Sequence, residues 1–127
     1  MSAEGGRQAV GREYELRDRT KQFALRVIRL FGALPISFEA QVIGKQLLRS
    51  GTSAAANERE ASRARSDLEL ISKLSIVEQE SDESALWMEL LVESEIFPEA
   101  RLSDLRSGCD ELLRMTVASI KTLKTRQ

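Results

Sequence analysis

The sequence predicts an all-α fold, a single-domain antiparallel four-helix bundle, and three observations carry that expectation. Apolar residues recur at helical rather than strand spacing through long stretches. The chain has only two prolines, Pro35 and Pro98, and each falls between such stretches rather than inside one. Aromatic residues make up 5% of the 127 residues while 42% are hydrophobic, a balance that suits helices and one core.

Residues 1–13 are polar and lack the apolar run of a signal peptide, so a flexible lead-in is expected before a domain spanning 14–127. The first helix is expected from about Tyr14 to Leu34, with Phe23, Val27, Leu30, Phe31 and Leu34 at helical spacing. Pro35 ends it. Ser37 is a good N-cap for a second helix reaching about Ser62, because its hydroxyl can accept from an otherwise unpaired amide. Ser66 and Glu69 form the S-x-x-E pattern that caps a third helix, expected to run to about Ser94. The fourth, from about Glu99 to Lys124, repeats Leu102, Leu105, Cys109, Leu112, Thr116, Ile120 and Leu123 in near-heptad order. Short connections between such long helices favour antiparallel neighbours. The lone Cys109 cannot form an intrachain disulfide and reads as a packed thiol.

The second helix carries the least ordinary pattern. At about 100° per residue, Gln46, Arg49, Ser50, Ser53, Asn57 and Glu60 fall on one stripe that begins with the apolar Val42 and Ile43. An inward stripe that turns polar needs a partner for each group, since a buried polar group left unpaired costs about 1–3 kcal/mol. An antiparallel hairpin turning near residues 63–65 sets Arg49 level with Glu78, Gln46 with Asp82, Ser53 with Ser75 and Glu60 with Asp67. Gln46, Arg49, Ser53, Asn57, Glu60 and Glu78 are therefore expected to form a structural polar network that fixes helix register. Arg49 with Glu78 is its expected buried ion pair. The alternative for the same stripe is a ligand pocket or pore lining. Gly51, Ala54, Ala55 and Ala56 imply that another helix approaches closely. On the third helix Asp67, Ile71, Leu74, Ser75, Glu78, Asp82, Ala85 and Val92 read as inward, yet Ile76, Leu86, Trp87, Leu90 and Leu91 lie on its sides and back. A helix apolar on both faces needs cover on both, so Trp87, Leu90 and Leu91 are expected at an interface between copies.

Those stripe residues, followed by the Glu-rich SDLELISKLSIVEQESDESALWMELL and by ESEIFPEARLSDL, resemble the bacterial four helix bundle protein family. Some of its members are encoded in intervening sequences of 23S ribosomal RNA genes. The resemblance covers nearly everything after about Arg17. It implies an up-down bundle assembled as a homo-oligomeric ring, with a pentamer expected. A related accessory protein of diversity-generating retroelements is a pentameric bundle that binds nucleic acid through a basic surface, which implies an RNA- or DNA-directed role.

Catalysis has little to stand on. The chain has no histidine, so it lacks the commonest general base and the Glu-x-x-His motif of di-iron bundles. Its glycines form no phosphate-cradling loop, and no nucleophile–base pair of a known kind is present. Glu78, Asp82 and Glu83 could hold a hard cation, but ordinary ion pairs within a bundle are the favoured reading of them. No enzymatic activity, cofactor, metal or small-molecule substrate is expected. No apolar run approaches the length of a membrane span, and the expected compartment is the cytoplasm.

Net charge is −1, but it is unevenly spread. Residues 66–100 carry one Lys/Arg against ten Asp/Glu, while the segments on either side are mildly basic. Arg59, Arg63 and Arg65 cluster at the second turn, and Lys121, Lys124 and Arg126 at the end of the fourth helix. These six are candidate nucleic-acid contacts. Arg17, Arg19, Lys21, Arg26 and Arg29 mark the first helix, and all these cations could equally be solvated surface. No aromatic array offers to stack bases, since Phe23, Phe31 and Phe38 look like core. The expected function is a non-enzymatic, oligomeric accessory or scaffold protein associated with RNA or DNA. The alternative is a protein–protein adaptor that does not bind nucleic acid.

Overall fold

The computed structural model describes the backbone of residues 3–126 and the side chains of residues 15–126. Helices α1 (Ala3–Ala33), α2 (Phe38–Ala61), α3 (Asp67–Glu93) and α4 (Glu99–Thr125) follow one another, with no strand among the described residues. Helix α1 thus begins ahead of the expected Tyr14; the expectation of a flexible lead-in at 1–13 lies outside the residues described in full. Neighbouring helices pack in sequence order, and α1 closes on α4 by the thinnest of the four seams.

The boundaries follow from local chemistry. Pro35 cannot continue α1, and the Leu34 amide closes its last turn on Phe31 O at 3.3 Å. Ser37 Oγ accepts from the Ala40 amide at 3.3 Å, and Ser66 Oγ from the Glu69 amide at 3.1 Å, as the capping patterns require. Glu69 reaches back to accept from the Arg65 amide at 3.3 Å. After α3 the chain reverses through Glu95 at φ 59°, and the amides of Ile96 and Phe97 both donate to Leu91 O, at 3.0 and 3.1 Å.

Helix α4 buries Leu102, Leu105, Cys109, Leu112, Thr116, Ile120 and Leu123, the whole of its sequence repeat. The Cys109 thiol donates to Ser81 O at 3.2 Å, and burial pushes its pKa up to about 12. From α1 come Leu16, Thr20, Phe23, Val27, Leu30 and Leu34. Helices α1 and α2 meet where α2 has no side chain. A Cβ on Gly51 would sit 3.1 Å from Val27 Cγ2, and one on Gly44 2.6 Å from Leu34 Cδ1. The close approach expected at Gly51 is therefore to α1.

The inward faces of α2 and α3 are turned from the expected phase. Helix α2 buries Ala40, Gly44, Leu47, Ser50, Gly51, Ala54, Glu58 and Ala61, and α3 buries Leu74, Val77, Ser81, Ser84, Met88 and Leu91. The seam between them is narrow because small residues fill it. Ser50 Oγ lies 2.7 Å from Ser84 Oγ, and Ser84 donates to Glu80 O at 2.9 Å. Ser50 Oγ also reaches Leu47 O at 3.3 Å, so the two hydroxyl hydrogens serve three contacts and either serine can donate to the other. Two apolar assignments change with the phase. Leu91, expected between copies, is fully buried in this bundle, and Phe38, expected in the core, is 80% exposed.

Candidate nucleic-acid interface

The antiparallel order brings the end of α2, the start of α3 and the end of α4 together, alongside the Arg17–Lys21 stretch of α1. The α2–α3 turn spends its own backbone groups: Ser62 N donates to Glu58 O, Arg63 N to Glu60 O and Ala64 N to Ala61 O, at 3.0–3.1 Å. Its arginine side chains are left to solvent, and Arg59, Arg63 and Arg65 are all exposed. Arg59, in the last turn of α2, and Arg63, just past its end, meet Arg17 and Lys21 of α1 across the groove.

These four cations line a pocket of about 480 Å³ with Ala55, Ala56 and Glu60. None of the four makes an ion pair with a described residue. A second hollow of about 390 Å³ adjoins it, lined by Glu60, Arg63, Arg65, Glu69 and Lys73. Between the two, Lys73 Nζ donates to Glu60 Oε2 at 2.8 Å, and that hydrogen bond raises the Lys73 pKa. The Glu60 carboxylate is thereby occupied by a cation outside the larger pocket.

Of the expected nucleic-acid contacts, Arg59, Arg63 and Arg65 stand together at this turn. Lys121 and Lys124 are exposed near the same end of the bundle. Arg126 is there too, but its Nη2 donates to both carboxylate oxygens of Asp67, at 3.0 and 3.1 Å, so it ties α4 to α3. Arg17 and Lys21 belong to the site although they stood outside the expected contact set. Only the pairing of α1 with α2 reveals their place opposite Arg59 and Arg63.

The expected polar network divides into separate surface contacts. Arg49 does not meet Glu78. Its guanidinium is exposed and pairs with Glu80 at 3.0 Å and with Glu83, while its Nε donates to the exposed Gln46 at 3.3 Å. The observed partners lie two and five residues beyond the expected Glu78, since α2 and α3 meet at the level of Ser50 and Ser84. Asn57 Nδ2 donates to Ser53 O and Ser53 Oγ at 2.9 and 3.1 Å, within its own helix. Glu60 pairs with Lys73 rather than standing opposite Asp67, and Glu78 is half-buried. The carboxylate taken inside is Glu58, 2% exposed. It shares a 3–4 spacing with Leu47, Ser50, Ala54 and Ala61, and that small-residue stripe was the signal for it. At the expected interface, Trp87 is half-buried with Nε1 donating to Glu83 at 3.3 Å, and Leu90 is 37% exposed. Among the described residues, no group of three or more His, Cys, Asp or Glu side chains is placed to hold a metal ion. No helix there is long and apolar enough to cross a membrane.

Residues 12–118 match the sequence pattern of the 23S rRNA-intervening sequence protein family. The match includes the pocket and the α2–α3 turn, and it ends before Lys121, Lys124 and Arg126. No curated protein matches the chain. A similar solved structure is a protein with unknown function from the S23 ribosomal protein family of Bacteroides thetaiotaomicron VPI-5482. It is 33% identical over 87% of this chain and 98% of its own, with a TM-score of 0.81. The chain belongs to the 23S rRNA-intervening sequence protein family.

Proposed function

We propose that this protein is a non-enzymatic, oligomeric accessory or scaffold protein that associates with RNA or DNA through the α2–α3 end of the bundle. The observation that carries this reading is the meeting of Arg17, Lys21, Arg59 and Arg63 around one pocket with no ion pair among the described residues. Elsewhere on the surface many cations are neutralised locally: Arg19 by Glu15 and Glu111, Arg49 by Glu80 and Glu83, Arg126 by Asp67. Unpaired cations attract phosphates over roughly a Debye length, about 8–10 Å at moderate salt.

Assembly belongs to the same proposal. Leu86 and Leu90 on α3 are 46% and 37% exposed beside the half-buried Trp87, an apolar face that a second copy would cover. A closed ring, with a pentamer expected, would repeat the basic end and convert weak single contacts into avidity. Binding of a labelled single-stranded RNA and of a duplex DNA, measured by anisotropy, tests the nucleic-acid reading. A site using four cations should lose about 50- to 150-fold in affinity between 50 and 200 mM salt. Absence of binding to either at 50 mM salt would instead favour a protein adaptor. The specific support for that second reading is Ile36 and Phe38, 94% and 80% exposed at the opposite end.

A further inference from the structure

We infer that the α1–α2 pocket holds the terminal phosphate of a nucleic-acid strand, so that the protein prefers a phosphorylated strand end to the interior of a chain. This inference rests on the nucleic-acid reading above and narrows it to one ligand chemistry. Three features of the pocket lead to it. The first is charge. Arg17, Lys21, Arg59 and Arg63 surround one space, and the one carboxylate on its wall among the described residues, Glu60, is held by Lys73 from outside. A phosphodiester brings one negative charge, whereas a phosphate monoester brings about 1.5 to 2 at neutral pH and three strong acceptor oxygens. Three guanidinium groups and an ammonium are better matched by the monoester, because each arginine can present two parallel N–H donors to a pair of its oxygens.

The second feature is shape. Ala55 and Ala56 line the space, and neither fills it with a side chain beyond Cβ. The resulting hollow of about 480 Å³ falls within the ~300–1,000 Å³ range of small-ligand sites. It has room for the sugar behind a terminal phosphate. A basic surface serving only the backbone of a passing strand needs no such recess. The third feature is position. The adjoining hollow carries Arg63 and Arg65 around the α2–α3 turn, with Glu69 and the Lys73–Glu60 pair on its other walls. A strand anchored by its end between α1 and α2 can therefore run over the turn with its next phosphates still near arginines.

The test compares two RNA 12-mers of one sequence, one with a 5′-phosphate and one with a 5′-hydroxyl, in direct titrations at fixed salt. A third 12-mer bears a 3′-phosphate, which distinguishes the two kinds of end. The inference expects a 5′- or 3′-phosphorylated strand to bind about tenfold more tightly than the hydroxyl form. Two variants then separate the pocket from general charge. Arg59→Ala should remove most of the preference. Ala56→Leu, at an exposed position, alters no charge but occupies the recess, and it should abolish the preference for a phosphorylated end. Equal affinities for all three RNAs would overturn the inference and leave the nucleic-acid reading standing. So would a preference that survives Ala56→Leu. Failure of every strand to bind at low salt would overturn both.

Discussion

The two ends of this bundle differ in kind. At one, cations from α1, α2 and the α2–α3 turn surround a pocket floored by alanines, with Lys121 and Lys124 nearby. At the other, the α1–α2 connection holds Ile36 and Phe38 almost wholly in solvent, above a core closed by Leu34, Leu91 and Phe97. Exposed arginines attract a partner at a distance and lose that attraction as salt rises. An exposed isoleucine and phenylalanine act only on contact, through removal of apolar surface from water, and barely respond to salt. A small bundle needs neither feature for its own stability. On the proposed reading each end is a surface presented to a partner, and the two would choose partners by different physics.

The largest effect should come from testing whether the apolar end is a packed core beneath its exposed tip. Leu91 is fully buried there, so Leu91→Ala should cost about 2–5 kcal/mol in chemical denaturation. A loss under about 1 kcal/mol would return Leu91 to a surface role. The neighbouring Leu90, 37% exposed, sharpens the contrast. Leu86→Glu with Leu90→Glu should leave the helices folded while reducing the mass seen in light scattering to that of one chain. An unchanged oligomer would remove the outer face of α3 as the interface, and a native monomer in the parent protein would remove the assembly altogether. The smallest effect concerns Arg49, half-exposed and shared between Glu80 and Glu83. A double-mutant cycle of Arg49→Ala with Glu80→Ala should give a coupling of only about 0.2–1 kcal/mol, the usual worth of a solvent-screened pair. A coupling near 3 kcal/mol would indicate a desolvated pair and restore a buried polar stripe.

Much of the fold could be read from the residues, and the misreadings have a common cause. Helix α4 shows every buried position in its sequence, because large apolar residues recur at heptad spacing and the intervening residues are polar. Caps at Ser37 and Ser66 and stops at Pro35 and Pro98 act through local chemistry that needs no tertiary context. Helices α2 and α3 pack through small residues instead. Gly44, Ser50, Gly51, Ala54, Ser81 and Ser84 are weak markers of burial, so the periodicity followed the larger Val42 and Ile43 and turned both helices by about one residue. That slip exposed Arg49 and moved Leu91 into the core. It also hid Glu58, a charged residue carried inside on the small-residue stripe.

The candidate site was legible only in part. Arg59, Arg63 and Arg65 are adjacent in sequence and were visible as a cluster. Arg17 and Lys21 joined them because α1 packs against α2, a relation that no local pattern specifies. Arg126 left the set through its pairing with Asp67 of α3. Which cations stay unpaired depends on which carboxylates the fold brings near them, and that is a tertiary property.

The contrast between the ends is tested most directly by reversing the same charge at each. Arg59→Glu with Arg63→Glu alters the α2–α3 end. Arg29→Glu with Lys45→Glu makes the same change in net charge roughly 18–21 Å away along the helices. Both proteins should fold, since all four positions are exposed. RNA affinity, titrated at 50 and 200 mM salt, should fall about 100-fold at low salt for the first variant, with a much shallower salt dependence. The second should remain within a few-fold of the parent and keep its salt slope. Equal losses in the two variants would mean that RNA responds to overall charge and not to this end of the bundle, and the central claim would fail.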